Sequence, residues 1–424
     1  MVSMKKWKTS PVYDVIVVGG GAAGMFSAAT AAQFGKRVLL LEKMGRWGWK
    51  LSITGKGRCN VTNDCTPEEV LKNIPTNPRF LYSSLWAFPP EAAMEKFRAL
   101  GVPLKTERGQ RVFPVSDRAG DIVDALIRAV DDSGVERNRG TVTELLTENG
   151  EIRGVKAGNQ CFYGSKVILA TGGMSYPNTG STGDGYELVK KLGHTVTSIS
   201  GSLVPLEILG GECRNMAGLS LRNVGLTLWG KKKKPIYRDF GEALFMNYGL
   251  SGPIILSASA HMDEKNGPYI VELDLKPALD EKKLDARLLR DFEERKNDKI
   301  YDGLRGVLPP QLIPVILDRC HIPTGQSVNS ITKEQRMKIL DTMKHLRFQV
   351  AGKRPVEEAI ITHGGVKVSE VNPTTMESKL VPGLFFAGEI LDVDAYTGGF
   401  NLQIAWSTGF AAGTSCGNSE NNML

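Results

Sequence analysis

The sequence holds six cysteines in 424 residues, and no two of them form a C-x-x-C pair. That scatter argues against a disulfide framework, a zinc ribbon and a dithiol redox pair. No metal site is expected, and a reducing, cytoplasmic compartment fits best. No apolar run approaches the ~20 residues of a membrane helix. The start of the chain, MVSMKKWKTSPVYD, is basic and lacks the apolar core of a signal peptide. No glycine loop ends in the Lys-Ser/Thr of a P-loop, which argues against nucleoside triphosphates. Net charge is +7, and residues 231–234 are four consecutive lysines. No basic stretch is interleaved with aromatics, so a nucleic-acid partner is not expected, and the lysines read as a solvated hairpin tip.

What is present is the composition of a soluble globular protein, 41% hydrophobic and 23% charged. The length predicts two or three domains. Residues 14–43 organise the rest. Val15, Ile16, Val17 and Val18 form a short apolar run, as in a strand buried on both faces. They lead into Gly19-Gly20-Gly21-Ala22-Ala23-Gly24, which satisfies G-x-G-x-x-G. An alanine-rich helix follows, ending near Gly35, and a second apolar strand ends on Glu42. Gly19 permits the tight turn, Gly21 the approach of a pyrophosphate, and Gly24 the packing of helix on strand. The phosphates would sit on the helix N-terminus, with Glu42 accepting the ribose hydroxyls.

Residues 48–63, GWKLSITGKGRCNVTN, read as an extended glycine-rich loop beside a flat ligand. Lys50, Lys56 and Arg58 offer positive charge there. Residues 67–101 read as mostly helical, and Arg111 stands in a turn and short strand. The pattern around 121–132 predicts an amphipathic helix, and Asn149-Gly150 a hairpin turn. Val167-Ile168-Leu169-Ala170-Thr171-Gly172-Gly173 is another buried strand ending in small residues. Gly180-Ser181-Thr182-Gly183-Asp184-Gly185 resembles a phosphate cradle. From about 195 short alternating segments predict a β-rich insert, followed by charged helical stretches. Near 356 the α/β texture returns. His363 precedes a glycine pair, and Gly388-Glu389 closes a strand. Gly398-Gly399 opens a helix whose amides suit a flavin ring that becomes anionic when reduced. The boundaries expected are 1–194 and 356–424 for one nucleotide domain, 195–276 for a β-rich insert, 277–347 for a helical module and 348–355 for a returning strand.

Residues 48–63, together with Gly180-Ser181-Thr182-Gly183-Asp184-Gly185, Met376-Glu377-Ser378-Lys379 and 388–402, resemble the YhiN/BaiN-like flavoproteins nearly over the full length. These are FAD enzymes described as NAD(P)/FAD-dependent oxidoreductases or aminoacetone oxidases, and one branch reduces unsaturated 3-oxo bile acids. The resemblance implies an α/β fold: a two-dinucleotide-binding-type, Rossmann-like FAD domain with an inserted β domain and a small helical domain. It implies that Gly19, Gly21, Ala22, Ala23 and Gly24 hold the pyrophosphate. Glu42 would bind ribose, Lys43 would lie near the adenine and Val142 would meet it through its backbone. Lys50, Leu51, Thr54, Gly57, Arg58, Cys59 and Asn60 would follow the cofactor toward its ring. Ala170, Thr171 and Gly172 would pack on its middle. Gly388 and Glu389 would hold ribityl or phosphate oxygens, and Gly399, Asn401 and Leu402 the isoalloxazine. The chain departs from the family at Trp49, where an arginine is usual.

The expected function is an FAD-dependent oxidoreductase, a reductase of a small organic molecule such as an unsaturated 3-oxo steroid. Tyr396, His363 and Arg111 are the candidate proton donors. No second G-x-G-x-x-G is present, so NAD(P)H would visit only transiently. The alternatives are a peroxide-releasing amine oxidase, a tRNA-modifying flavoprotein and a redox sensor. The partner expected is a small-molecule substrate, met by a monomer or homodimer away from any membrane.

Overall fold

β1 (Val12–Val18) runs through the middle of a mixed sheet, parallel to both of its neighbours. Val15, Ile16 and Val17 are fully buried, as a strand covered on both faces requires. The computed structural model describes residues 12–232, 234–263 and 265–418. The basic start of the chain up to residue 11 and Lys233 of the lysine run lie outside the described residues. β1 turns through residues 19–21 into α1 (Ala22–Ala32), and β2 (Val38–Glu42) returns parallel to it with Val38 opposite Val15. The predicted strand–helix–strand unit is therefore present.

The sheet then grows in both directions. Glu136–Arg139 lies parallel outside β2. Gln160–Leu169 lies parallel on the other side of β1, longer than the sequence pattern suggested. Leu384–Phe386 pairs parallel with it, so a segment from late in the chain completes the same sheet. Val142–Glu148 and Glu151–Ala157 form the predicted hairpin, with Asn149 and Gly150 at φ 52° and 82°. α1 packs against the long C-terminal helix Phe400–Gly417. Small residues allow the approach: a Cβ on Gly413 would come within 2.6 Å of the Ser27 carbonyl oxygen.

The reading of residues 48–63 as a loop throughout needs correcting. α2 (Trp49–Gly57) starts as a helix on the left-handed Gly48. It breaks at Thr54, Gly55 and Lys56, whose backbone is not helical, and a two-residue strand, Thr62–Asn63, follows. Leu51, fully buried, gives the short helix an anchor that its glycine content obscured.

Ser202–Glu358 forms a second compact unit, while the described residues before and after it form the first. Within the second unit a closed barrel is built from Leu206–Ile208, Gly249–Ser251, Pro235–Met246, Ser220–Trp229, Ile270–Asp274 and Leu346–Lys353. The returning strand thus begins at Leu346, two residues before the expected boundary. Pro253–Ser259, inside the stretch read as β-rich, is a helix. Glu281–Glu294, Ile313–Arg319 and Lys333–Lys344 make up most of the helical part. The middle one is short because Pro309 and Pro310 stand just before it. Among the described residues no helix is long and apolar enough to cross a membrane.

Candidate cofactor cleft

The first unit contains a cleft with an empty volume of about 1270 Å³. One end is built at the C-terminal edge of β1. The backbone turns there because Gly19 adopts φ +108°, and a Cβ at that position would lie 2.4 Å from the Ala170 carbonyl oxygen. Gly21, the N-cap residue of α1, has no side-chain cap, and a Cβ there would meet nothing within 4 Å. The first amides of α1 are thus left without an intrahelical partner, facing open space beside a positive dipole end. Gly19, Gly21, Ala22 and Ala23 all line the cleft.

Glu42 ends β2 at the same rim. Its Oε2 accepts the Gly20 N–H at 2.6 Å and its Oε1 accepts the Met44 N–H at 2.7 Å. Those bonds fix the carboxylate and leave each oxygen a second lone pair for a hydroxyl. Lys43 Nζ donates to Thr182 Oγ1 at 2.6 Å and to Asp184 Oδ2 at 2.8 Å, tying the loop after Gly180 across this end. Val142, Ala170, Thr171 and Gly172 also line the cleft. Thr171 Oγ1 is buried with no hydrogen-bond partner among the described residues.

Toward the far end a second network takes over. Lys50 Nζ donates to Glu389 Oε2 at 2.6 Å and to Ser175 Oγ at 2.7 Å. Glu389 Oε1 accepts the Thr362 N–H at 2.9 Å. Gly388 N–H donates to Thr408 Oγ1 at 2.9 Å, which pins this turn to the C-terminal helix. Lys50, Leu51 and Thr54 line the cleft here with Gly388, Glu389, Asn401 and Leu402. Lys50 is thus committed to Glu389. Glu389→Ala is expected to leave that ammonium and the Thr362 N–H uncompensated at a half-buried site. The cost is about 2–3 kcal/mol once residual exposure is discounted. Adding Lys50→Met should recover most of it, which urea titrations of the FAD-free variants will read.

Other proposed residues lie elsewhere. Gly24, Gly57, Arg58, Cys59, Asn60 and Gly399 do not line the cleft. Gly24 is spent on packing within the turn, since its Cβ would sit 1.8 Å from the Gly19 oxygen. Gly57 closes α2 at φ +82°. Arg58 is taken up by Glu107 and Asp117 and lies over the Phe113 ring, so it braces a small sheet in which Arg111–Pro114 runs between Thr62–Asn63 and Leu104–Glu107. Arg58 holds the Glu107 carboxyl below its usual range, and Lys105 first, with Arg58, does the same for Asp117. Lys56, offered as positive charge, is exposed at φ +59°. Asn60 keeps a buried Oδ1 with no partner among the described residues. Gly399 lies against Thr62, whose carbonyl oxygen a Cβ would approach within 2.4 Å.

None of the three candidate proton donors lines the cleft either. Arg111 stands exposed in the middle strand of the small sheet, its Nε donating to the Arg108 oxygen at 3.1 Å. Tyr396 is half-buried, with its N–H donated to the Asn73 oxygen at 3.0 Å. His363 stands two residues beyond the lining residue Ile361. Arg46, Trp49, Asp184 and Ile360 line the cleft without having been proposed for the cofactor. For Asp184 a signal existed, the Gly-Ser-Thr-Gly-Asp loop. Trp49 lies within the stretch read as flanking a flat ligand, while Arg46 and Ile360 carry no signal.

Cys59 is fully buried, and burial pushes its thiol up to about 12 against an opposing bond with Thr54. Because the thiolate is the nucleophile, such a thiol stays protonated and inert near neutrality. Iodoacetamide at about pH 8 is expected to spare Cys59 in the native protein and to modify it in urea, as peptide mass spectrometry will show. Rapid labelling of native Cys59 would contradict its placement.

A sheet with a parallel core, a glycine turn under an uncapped helix and an acid closing the second strand define a dinucleotide-binding protein of Rossmann type. The model of the family described as HI0933-like protein Rossmann domain matches residues 13–415, so the chain belongs to this family of FAD-dependent oxidoreductases. It is 29% identical over 402 residues to a 3-dehydro-bile acid delta(4,6)-reductase of Clostridium scindens, covering 94% of this chain and 97% of the relative. It is 31% identical over 407 residues to a ribosomal RNA dihydrouridine synthase of Escherichia coli K12, covering 94% and 96%. The latter weighs against the expectation that nucleic acid is not a partner. A 3-ketosteroid delta1-dehydrogenase of Sterolibacterium denitrificans shares the fold at TM-score 0.52 and 14% identity, covering 96% of this chain and all of that one.

The cleft fits FAD. An open, uncapped helix N-terminus suits a pyrophosphate, and a carboxylate fixed at the rim suits ribose. Gly21, Ala22 and Ala23 would hold the phosphates and Glu42 the ribose. Asn401 and Leu402 would meet the ring end.

Proposed function

We propose that the chain is an NAD(P)H-linked flavoprotein reductase that saturates a carbon–carbon double bond conjugated with a carbonyl group. The first substrate class is a small molecule of the 3-oxo-enone type. The observation that carries this reading is the near full-length similarity to two relatives whose names share one chemistry. A delta(4,6)-reductase of a 3-dehydro-bile acid and a synthase of dihydrouridine both describe a double bond beside a carbonyl being saturated. Bound FAD supplies the hydride chemistry. The protein's part is to hold it, to keep water out and to place a proton source. The apolar side of that task falls to Leu51, Ile361, Leu402 and Ala405 along the cleft. With a single G-x-G-x-x-G, the nicotinamide donor binds only for the time of the transfer.

A second reading, reduction of a uracil base within ribosomal RNA, is favoured by the Escherichia coli relative at 31% identity. The net charge of +7 is compatible with it. An amine oxidase of the aminoacetone type, which the family resemblance also includes, would need no nicotinamide and would release peroxide. One experiment separates the three. The FAD-loaded protein is incubated with NADPH or NADH and, in parallel, a 3-oxo-delta-4 steroid, unmodified ribosomal RNA or aminoacetone. A steroid product heavier by two hydrogens supports the first reading. The same mass gain on a uridine moves the assignment to RNA. Peroxide from aminoacetone without NAD(P)H overturns the reductase.

A further inference from the structure

We propose that His363 delivers the proton of the reduction, and that the buried carboxylate of Asp394 decides which ring nitrogen delivers it. The inference rests on the reductase reading above. His363 ends the strand Ile361–His363. Ile360 and Ile361, just before it, line the cleft, and the Thr362 N–H is held by the lining residue Glu389. Asp394 arrives from a different element that is also tied to the cleft. Its neighbour Ala395 is clamped by Asn401, a lining residue in the first turn of the C-terminal helix. The Ala395 N–H donates to Asn401 Oδ1 at 2.9 Å, and Asn401 Nδ2 donates to the Ala395 oxygen at 2.7 Å.

His363 Nδ1 and Asp394 Oδ1 are 3.1 Å apart. The Asp394 side chain is 1% exposed and the imidazole 33%. One ring nitrogen thus faces a carboxylate shut off from water, while the ring itself stays reachable. A carboxylate at Nδ1 accepts the proton there and leaves Nε2 as the atom that gains and loses the other. Thr76 Oγ1 stands 3.5 Å from the same Nδ1. Asp392 is the other acid near the ring, and burial pushes its carboxyl up while His363 works the other way.

Saturating a conjugated double bond takes one hydride and one proton. The hydride, drawn ultimately from the nicotinamide dinucleotide, forms the C–H bond at the β-carbon and drives the π electrons toward the carbonyl. The proton leaves Nε2 of the imidazolium and forms the C–H bond at the α-carbon. Water then reprotonates the neutral imidazole. Asp394 touches no reacting atom, so it is a positioning residue.

Two measurements test the pair. In FAD-loaded protein with ¹⁵N-labelled histidine, the signals that vanish in His363→Gln belong to this ring. They should report a protonated Nδ1 and an unprotonated Nε2 in the neutral form, and Asp394→Asn should change that pattern. A wild-type ring protonated at Nε2, or a pattern indifferent to Asp394→Asn, overturns the positioning role. In anaerobic rapid mixing, both variants should be reduced by NAD(P)H within threefold of wild type. Reoxidation by the enone should slow about 100-fold in His363→Gln. In Asp394→Asn it should slow less, with a displaced pH profile. A wild type that turns over while His363→Gln reoxidises as fast overturns this proposal alone. A wild type that no conjugated carbonyl reoxidises overturns the reductase reading with it.

Discussion

Gly24→Val is expected to yield a folded but colourless protein, with FAD affinity reduced by more than about a thousandfold, or ~4 kcal/mol. The reason is local. Any Cβ at residue 24 would be driven to 1.8 Å from the Gly19 oxygen and 2.9 Å from its carbonyl carbon. Backbone cannot yield as a side-chain tip can, so the turn from residue 19 to 21 must move away from α1. That movement tilts the uncapped amides off the axis along which they would meet a pyrophosphate. The damage falls on binding first, because the buried strand residues Val15, Ile16 and Val17 keep their sheet partners. Titration of the FAD-free variant with FAD, beside a far-ultraviolet circular dichroism spectrum, separates the two effects. A variant that binds FAD within tenfold of wild type would show that the glycine turn is not the phosphate site.

Trp406→Ala carries the largest expected loss of stability, about 3–5 kcal/mol for removal of a buried aromatic side chain. Trp406 is fully buried in the C-terminal helix. Its Nε1–H donates to the Val61 oxygen at 2.9 Å, and its ring lies 5.5 Å from Phe26 of α1 and 5.2 Å from Phe97. One side chain therefore joins the helix after the ring end of the cleft to α1 and to the segment after α2. Truncation leaves a cavity and an unsatisfied carbonyl oxygen together. For a unit of this size the melting temperature should fall by about 10 °C. Trp406→Phe keeps most of the packing and loses the hydrogen bond, so about 1–2 kcal/mol is expected. Urea titration should show a lower midpoint at unchanged slope. Equal stability of Trp406→Ala and wild type would mean that this contact is not part of the core.

The parts of the fold that were legible in the sequence are those held by short-range rules. β1, α1 and β2 could be read because burial on both faces, alanine content and three glycines act within thirty residues. Asn149-Gly150 was readable for the same reason, since its turn demands positive φ of both residues. α2 was not, because its helix is held by a buried Leu51 and a left-handed Gly48 rather than by composition. The barrel's closure depends on Leu346–Lys353 pairing with strands more than seventy residues earlier, which no local pattern announces. At the cleft, positive charge in the sequence did not say which cation faces a ligand. Lys50 is answered by Glu389, 339 residues on, and Arg58 by Glu107 and Asp117. Asp394 drew no attention in the sequence because its pairing with His363 exists only in three dimensions.

The most direct test is to follow the colour of the FAD-loaded protein without oxygen. NADPH or NADH should bleach it, and an added 3-oxo-delta-4 steroid should restore the colour as the enone absorbance disappears in equal amount. Bleaching by a small amine alone, with no return of colour on adding any conjugated carbonyl, would contradict the account.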